Sequence, residues 1–330
     1  MMTVTPTYPG VYIEEDASRS ISVSHAATAV PVFIGVFRRL DGVALSSGQC
    51  LPVNSWLDFC STYMTLPGVS VAFTSTPPAG ETGEYTYTWK VNAGFNPLCI
   101  QSYFQNGGGP CYLLPLINPA SSTELATLPD AIAKESDITL LVSVYSTPAE
   151  QTDVYNSINS LLKSDPGYFL LADSSDGSTV PSTEPMKTAV YYPKVSVRAS
   201  RPADTAIVVS GYKDATHPVG NEITTLDMLK TVNPAQYGLI SAEIDTLLER
   251  APISPAATLA GIYCTSDRNR GVWKAPANVA INGIAGVTAL VSDNAQGAMN
   301  NKGINVIRYF PDRGYLVWGA RTLAGTQTNS

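Results

Sequence analysis

The fold is decided by a stretch in which three apolar runs alternate with helix-like segments: Cys111-Tyr-Leu-Leu-Pro-Leu-Ile117, Ile138-Thr-Leu-Leu-Val-Ser-Val-Tyr145 and Tyr168-Phe-Leu-Leu-Ala172. The intervening segments, 122–134 and 148–163, are predicted helices. Strand, a helix of about ten to fifteen residues and strand again form the βαβ unit of a parallel sheet. We therefore predict an α/β core (α+β across the whole multidomain chain) built on a mainly parallel sheet with helices.

The pattern extends on both sides of this stretch. A predicted helix at Pro97–Gln105 ends at the breaker Asn106-Gly-Gly-Gly-Pro110, and the continuous apolar run Ala26–Phe37 predicts a strand buried on both faces. Further helices are predicted at 54–63, 239–250 and 255–265, and further strands at 84–91, 189–197, 287–292, 304–310 and 315–322. Residues 65–92 are otherwise predicted to be loop. At 330 residues the chain has room for two or three domains.

The first 24 residues do not have the pattern of a globule. They are punctuated by Pro and Gly and then alternate polar with apolar residues, which predicts extended chain. Because ordering each residue costs about 1–2 kcal/mol of backbone entropy, such an arm should order by adding to a sheet of its own subunit or of a neighbour. The alternative is an ordinary edge strand of the local domain. The residues predicted to make the arm contacts are Tyr8, Val11, Tyr12, Ile13, Glu14, Glu15, Ile21 and Val23.

Composition excludes several classes of function. The formal net charge is -7, which disfavours a nucleic-acid binder that works by phosphate neutralisation. No apolar run approaches the ~20 residues of a membrane-spanning helix, and the N-terminus lacks the pattern of a secretory signal. Five cysteines without a CxxC spacing predict reduced, mostly buried thiols. Only 14% of residues are charged, against about 25% in ordinary soluble proteins, and this deficit requires an explanation.

We predict no catalytic, cofactor-binding or metal-binding residues. The two histidines, His25 and His217, lack a catalytic context, and Gly107–Gly109 precedes a strand, whereas a phosphate loop precedes a helix. Two charged groups are candidate subunit contacts, with an anion site or a solvated loop as the alternatives. The first group, predicted on a surface hairpin, comprises Asp267, Arg268, Arg270, Trp273 and Lys274. The second comprises Arg308, Asp312, Arg313 and Arg321.

Five blocks along the chain resemble the contractile tail sheath proteins of phages and phage-tail-like injection systems. The blocks are Tyr8–Glu15 with Ala27–Gly35, Tyr103–Tyr112, Ser254–Tyr263 with Asp267–Asn278, Gly303–Arg308, and Val317–Leu323. The blocks occur in the family's order across nearly the whole chain. A single block would be a weak match, but five in order make a strong one.

The resemblance implies a structural subunit, not an enzyme, that polymerises as stacked hexameric rings around an inner tube and contracts to drive the tube through a target envelope. It implies other copies of the chain, the inner tube protein, and baseplate and terminator proteins as partners, without nucleic acid or membrane insertion. The particle would be a phage tail or an extracellular or cytoplasmic contractile particle, assembled in the bacterial cytoplasm without a signal peptide. Fewer charges are then expected because much of the surface faces other subunits.

The resemblance also divides the chain: an arm at 1–24, a sheath core at 25–63, 93–197 and 254–330, and insertions at 64–92 and, on the outer side, 198–253. Family members continue beyond the last block, so we expect a shortened form of a longer protein, without the family's C-terminal domain and arm. Two other functions stay open from the sequence. One is a receptor-binding or decoration protein of the same particle, and the other a hydrolase or ligand-binding domain with its site near Asp173 or Tyr145.

Overall fold

The computed structural model describes residues 28–43, 45–78, 84–164 and 167–326. The predicted arm residues and His25 lie outside these ranges. In the described part the strands are β1 (Pro31–Gly35), β2 (Leu51–Val53), β3 (Gly68–Thr76), β4 (Thr86–Gly94), β5 (Cys111–Pro115), β6 (Leu140–Ser143), β7 (Phe169–Asp173), β8 (Thr188–Tyr192), β9 (Val195–Val197), β10 (Val208–Ser210), β11 (Ala251–Ile253), β12 (Val279–Ala280), β13 (Gly286–Val287), β14 (Ile304–Phe310) and β15 (Gly314–Trp318).

The helices of the same residues are α1 (Trp56–Thr62), α2 (Asn96–Gln105), α3 (Ser122–Ala126), α4 (Leu128–Ala133), α5 (Pro148–Ser164), α6 (Leu226–Val232), α7 (Pro234–Glu249), α8 (Pro255–Arg270) and α9 (Asp293–Asn301). Short 3-10 helices lie at Pro185–Lys187, Asp204–Ala206 and Leu323–Thr326.

The core is a nine-stranded sheet in the order β12-β15-β14-β8-β7-β6-β1-β5-β2. The six strands from β14 to β5 are mutually parallel, and β2, β15 and β12 pair antiparallel at the two edges. Parallel strands are normally covered on both faces, and here alternate side chains do point to opposite cores. In β1, Phe33 faces α2 and α8, whereas Val32 and Ile34 face α4 and α5. The predicted α/β fold with a mainly parallel sheet is confirmed.

Helices α2 and α8 approach closely because α8 carries small residues on the contact face. A Cβ placed on Gly261 would lie 2.3 Å from the Tyr103 carbonyl oxygen and 3.1 Å from the Asn106 Cβ. The Ser102 and Thr258 hydroxyls form one hydrogen bond of 2.8 Å between the two helices, which gives each of these buried groups a partner away from water. Close packing of α8 fixes where its C-terminal end lies relative to the loop after α2.

Two segments predicted as separate insertions build one small sheet. Strand β10, from 198–253, pairs parallel with β3, from 64–92. Strand β3 pairs antiparallel with β4, which begins in the same segment and ends two residues beyond it, at Gly94. Phe73, Tyr87 and Tyr212 pack their rings together across the two segments, and Trp89 Nε1 donates to Glu243 Oε2 of α7 at 2.8 Å. The prediction of a loop before the strand at 84 was wrong, because Val69, Val71 and Phe73 alternate as the buried face of β3.

Three further element predictions were wrong in detail. The run 189–197 is two strands in different sheets, since Pro193 has no N–H to continue the ladder after β8, and β9 instead pairs with β11 and β13. The strand predicted at 287–292 shrinks to β13, because Ser292 caps α9 by accepting from the Ala295 N–H. The helix predicted at 122–134 is split into α3 and α4, with Thr127 between them.

Candidate assembly surface

The first charged group lies at the C-terminal end of α8. Residues Asp267 to Arg270 were predicted on a hairpin, but they form the last turn of this helix, which continues until Gly271. Gly271 has φ +88 and ψ 159, a conformation that only glycine adopts readily, so the helix stops there. Arg268 and Arg270 are favourable at this end because the helix dipole is negative there.

The same end of α8 holds the first described residues of the chain, Thr28–Val30, which we call the arm root. The Thr28 hydroxyl donates to Asp267 Oδ2 at 3.1 Å, and the Cys264 thiol donates to the Ala29 carbonyl oxygen at 3.2 Å. Thr139 completes the contact by donating to the Thr28 carbonyl oxygen at 3.0 Å and accepting from the Val30 N–H at 2.9 Å. The point at which residues 1–27 join the subunit is therefore fixed to α8.

Burial affects the Asp267 carboxyl at this contact. Loss of water around it raises its pKa, and the hydrogen bond from the Thr28 hydroxyl opposes that shift. No local sequence signal identified Thr28 or Thr139 as part of this arrangement. Thr139 is 111 residues from Thr28, and only the pairing of β1 with β6 brings them together.

Three cations and one tryptophan beside Asp267 form an exposed group that we call the α8 patch: Arg268, Arg270, Trp273 and Lys274. The Trp273 ring lies over Gly271 at the end of the helix, since a Cβ on Gly271 would lie only 2.4 Å from the ring. Trp273 is nevertheless 85% exposed to solvent. Arg268 Nη2 donates to the Gly107 carbonyl oxygen at 3.2 Å, and Lys274 Nζ to the Ala275 carbonyl oxygen at 2.9 Å. Within the described residues, none of the three cations has a carboxylate within ion-pair distance.

The second charged group lies on the β14–β15 hairpin and just after it, and its members have different surroundings. Arg308 is engaged within the subunit: Nη1 lies 2.6 Å from Asp293 Oδ1 and 2.6 Å from Gln296 Oε1 of α9. Arg321 Nη1 donates to the Asn300 carbonyl oxygen at 3.1 Å, while Asp312 and Arg313 are exposed in the hairpin turn. The structure thus gathers Asp267 and the α8 patch at one place, and the other four around the hairpin.

The two residues considered for an enzyme site are used internally. Asp173, at the carboxyl end of β7, accepts from the Ala256 N–H at 3.0 Å and from Gln151 Nε2 at 2.8 Å, so it satisfies the first turn of α8. Burial raises its pKa, partly offset by these hydrogen bonds, by one with Ser254, and by Lys194. The buried Tyr145 hydroxyl donates to the Leu116 carbonyl oxygen. His217 contacts Asp214, with Nδ1 and Oδ1 3.0 Å apart, in the segment 198–253.

Shallow grooves cross the surface of the described residues. One of them, of about 540 Å³, lies between β4 and α7, and another, of about 340 Å³, is lined by Gln296, Asn300 and Trp318 among others. Among the residues that the structure describes, no group of three or more His, Cys, Asp or Glu side chains could hold a metal ion. None of the helices in that part of the chain combines the length and apolarity needed to cross a membrane.

Comparison with known proteins places this architecture in one family. The sequence profile of the phage tail sheath protein central domain matches residues 181–323. None of the curated proteins compared matches the chain. Among solved structures, a chain of the anti-feeding prophage (AFP) helical sheath in its contracted state is 34% identical, with a TM-score of 0.61 over 99% of this chain and 70% of that one.

Two further structures agree. A chain of the six-fold symmetrised AFP baseplate is 34% identical, with a TM-score of 0.62 over 97% of this chain and 69% of that one. A chain of the PVC sheath complex in its contracted state, from an extracellular contractile injection system, is 25% identical, with a TM-score of 0.56 over 98% and 71%. These relatives are structural components of contractile particles. With the fold of these relatives and about a third of its residues in common with the two AFP chains, the chain belongs to the contractile tail sheath protein family.

Proposed function

We propose that the chain stacks as hexameric rings into a helical sheath around an inner tube, and that contraction of the sheath drives the tube through a target envelope. The observation that carries the proposal is the 34% identity over 99% of the chain to the AFP helical sheath, a structure of the contracted state. Identity along the entire described fold favours the same kind of assembly over a separate receptor-binding or decoration role.

The energy for the movement comes from a change of packing between subunits. Interfaces are bistable elements, so one set of subunits has two lattices of different free energy and moves from the higher to the lower. The polar groups at the carboxyl ends of the strands are consistent with this mechanism, because Asp173 and Tyr145 hold the subunit together internally. The subunit then behaves as a rigid block while its contacts with neighbours change.

The partners we propose are other copies of the chain, the inner tube protein, and the baseplate and terminator proteins. The particle is a phage tail or a phage-like contractile particle that assembles in the bacterial cytoplasm. Residues 1–24 serve as the arm between subunits, and 64–92 with 198–253 lie on the outer side. The contacts are made by the arm residues and by the two charged groups, of which the α8 patch and the pair Asp312 and Arg313 are the most exposed.

Electron microscopy tests the proposal. The protein is produced with its own tube and baseplate proteins, and negative-stain images are recorded before and after exposure to conditions that trigger contraction. We expect ringed tubes whose sheath becomes shorter and wider, and antibody labelling along their whole length. Label confined to the tips or fibres of the particle would identify a decoration protein instead, and a chain absent from the particle would refute the proposal.

A further inference from the structure

Strand β4 forms the open edge of the small sheet. Among the residues that the structure describes, β3 is the only strand that pairs with β4, and the pairing runs along all nine residues of β4. The opposite edge, at β10, is closed by the chain that follows it. There the Val209 N–H donates to the Thr224 carbonyl oxygen at 2.8 Å, and the Leu226 N–H to the Ile207 carbonyl oxygen at 3.0 Å.

The features that usually keep edge strands apart are weak in β4. Natural edges are protected by short strands, prolines, bulges and charged side chains. Strand β4 is nine residues long, pairs with β3 without a bulge, contains no proline and has Lys90 as its only charged residue. Its inward-facing side chains Tyr87, Trp89 and Val91 are half-buried, whereas those of β3 are buried. A further strand alongside would satisfy the edge and complete this burial.

The sequence at this edge is complementary to itself when two copies run antiparallel. We call residues 84–90 the edge segment. When Tyr87 of both copies lies on a two-fold axis, residues equally distant from Tyr87 face each other. The pairs are opposite charges, two aromatic rings and two threonines: Glu84 with Lys90, Tyr85 with Trp89, and Thr86 with Thr88. Pairs of these three kinds stabilise antiparallel strands when they are directly opposite. We propose that the edge segment of one copy binds the edge segment of a second copy in this register.

Other registers lose the match. A slip by one residue turns the aromatic face of one copy towards the solvent side of the other, because side chains alternate along a strand. An axis at Lys90 sets two lysines opposite each other, which is destabilising. An axis at Thr88 leaves Lys90 opposite Thr86 and Glu84 opposite Asn92, without an ion pair. Lys90 therefore disfavours strands that lack an acid at the matching position, and it admits the edge segment of a copy.

The edge has its paired conformation before it binds. The Tyr87 ring stacks on Tyr212 with centroids 5.3 Å apart, and Trp89 Nε1 donates to Glu243 of α7. Because the strand and its aromatic side chains are already ordered, pairing requires little further loss of conformational entropy. A two-fold contact uses the same surface on both copies and closes at a dimer. The contact is therefore distinct from the head-to-tail contacts of a ring or helix, and it goes beyond the proposed function.

Paired cysteines test the register. Thr86→Cys and Thr88→Cys are made as separate chains, both with Cys60→Ser, which removes the partly exposed native thiol. Directly opposite residues of antiparallel strands have Cα atoms about 4.5–5.5 Å apart, within the range of a disulfide. In either chain alone, the two new cysteines are diagonal neighbours about 7–8 Å apart, beyond that range. After mild oxidation we expect a disulfide-linked dimer in the mixture of the two chains and its loss in each chain alone.

The matched control for these cysteines is Asn92→Cys in the same Cys60→Ser chain. Asn92 is exposed on the same face of β4 as Thr86 and Thr88. In the proposed register it faces neither of them, so a mixture of Asn92→Cys with either chain measures random collisions and should give no linked dimer.

Charge reversal tests the recognition. Lys90→Glu, added to both cysteine chains, places a glutamate opposite Glu84 at each end of the pairing, and we expect the yield of linked dimer to fall at least about threefold. Adding Glu84→Lys to the same chains exchanges the two charges and should restore the yield. Lys163→Glu makes the same change of net charge at an exposed site on α5 and should leave the yield unchanged.

A linked dimer in the mixture only, lost with Lys90→Glu and regained with the exchange, supports the proposal. Equal linking in Thr86→Cys alone indicates a parallel or irregular contact and overturns the register. Linking that Lys90→Glu does not change overturns the charge pairing. No linking in chains whose thermal melts match wild type overturns the contact itself.

A second measurement applies if a cysteine chain melts early. Sedimentation velocity is then recorded on chains that carry only Lys90→Glu, or Lys90→Glu with Glu84→Lys, beside wild type. A dimer that is lost on reversal and regained on exchange supports the proposal, and a wild type without a dimer or a dimer unaffected by reversal overturns it. The sheath function is tested separately, on assembled particles, and stands or falls independently of this contact.

Discussion

At the scale of single residues, Gly261 has the narrowest fit in the core. Any side chain there meets the Tyr103 carbonyl oxygen of α2, which is backbone and has little freedom to move. Gly238 in α7 is also within a helix, but a Cβ there would meet no atom within 4 Å. The two glycines form a matched pair that separates helix propensity from packing.

We expect Gly261→Ala to lower the free energy of unfolding by about 1–3 kcal/mol, because α2 and α8 must separate to admit the methyl group. Gly238→Ala should raise it by up to about 1 kcal/mol, since alanine forms helix better than glycine and meets no obstacle. Urea denaturation of the two variants and wild type measures both changes. Equal effects of the same sign would contradict the close approach of α2 and α8.

The buried carboxyl of Asp173 predicts an unusual pH response. Its folded-state pKa is raised above the unfolded value by burial, so its neutral form is favoured by folding. The stabilisation that the neutral Asp173 carboxyl gives to the folded state is fully present below the pKa of the unfolded state. It is lost as the pH rises through the pKa of the folded state. We expect the stability of wild type relative to Asp173→Asn to increase as the pH falls from about 7 towards about 4.

Thermal melts at a series of pH values measure that difference, and the non-titrating asparagine subtracts the effect of every other group. A matched Asp176→Asn variant should show the reverse trend. Hydrogen bonds from Thr179 and Ser178 lower the pKa of Asp176 below its ordinary value of 3.8. Its stabilisation of the folded state is therefore lost only as the pH falls below about 4, and the series has to extend to about pH 2 to show it. A difference for Asp173 that shrinks on acidification would show that its hydrogen bonds outweigh burial.

At the scale of elements, the pairing between the segments 64–92 and 198–253 depends on Gly211. Its φ is +74, and a Cβ there would lie 2.4 Å from the Phe73 carbonyl oxygen of β3. We expect Gly211→Ala to loosen the pairing of β10 with β3, because both the left-handed backbone and the close approach favour glycine. Hydrogen exchange should become faster at the amides of β3 and β10.

The control lies in the same sample. Amides of β6 and β7 should keep their protection, because these strands form their ladders within the main sheet and make no backbone pairing with β3 or β10. Loss of protection in both sheets together would show that the small sheet and the main sheet unfold as one unit.

The elements also show which features the sequence can predict. Parallel strands buried on both faces, such as 138–145, are continuous apolar runs and were predicted with only small errors at their ends. The alternation of β3 is equally visible, but Thr, Ser and Gly around Val69 and Val71 resemble a loop until β10 supplies a partner. Pairings between distant segments, including Thr28 with Asp267, depend on tertiary structure and leave no local pattern.

At the scale of the whole molecule, the reactivity of the five cysteine thiols measures how far the subunit has unfolded. Cys50, Cys99, Cys111 and Cys264 are buried, and Cys60 is partly exposed. Burial raises the pKa of Cys50 to about 12 and that of Cys99 to about 12, so these thiols are rarely ionised at neutral pH. The predicted buried thiols are confirmed for these four residues.

We expect a thiol reagent to label one cysteine of the native chain quickly, at Cys60, and all five after unfolding in urea. Cys60→Ser should remove the fast phase without changing the slow one, and mass spectrometry of digested protein identifies the labelled sites. Fast labelling of Cys264 would contradict the structure most directly, because its thiol donates to the Ala29 carbonyl oxygen beneath the arm root.

The low content of charged residues is consistent with a subunit that has many neighbours. Large apolar side chains such as Leu57, Trp273 and Leu290 are exposed by more than three quarters in the single chain. Interface cores are depleted in charge, so under the proposed function these exposed positions are candidates for burial between subunits.

The small sheet formed by β3, β4 and β10 has a consequence for engineering and for descent. Its strands come from segments more than a hundred residues apart, so neither segment is a complete unit. Removing 64–92 alone would strip β10 of its partner, and removing 198–253 alone would uncover Phe73 and the aromatic face of β4. A graft that replaces this small sheet therefore has to exchange both segments together, and in natural relatives they should be gained or lost as a pair.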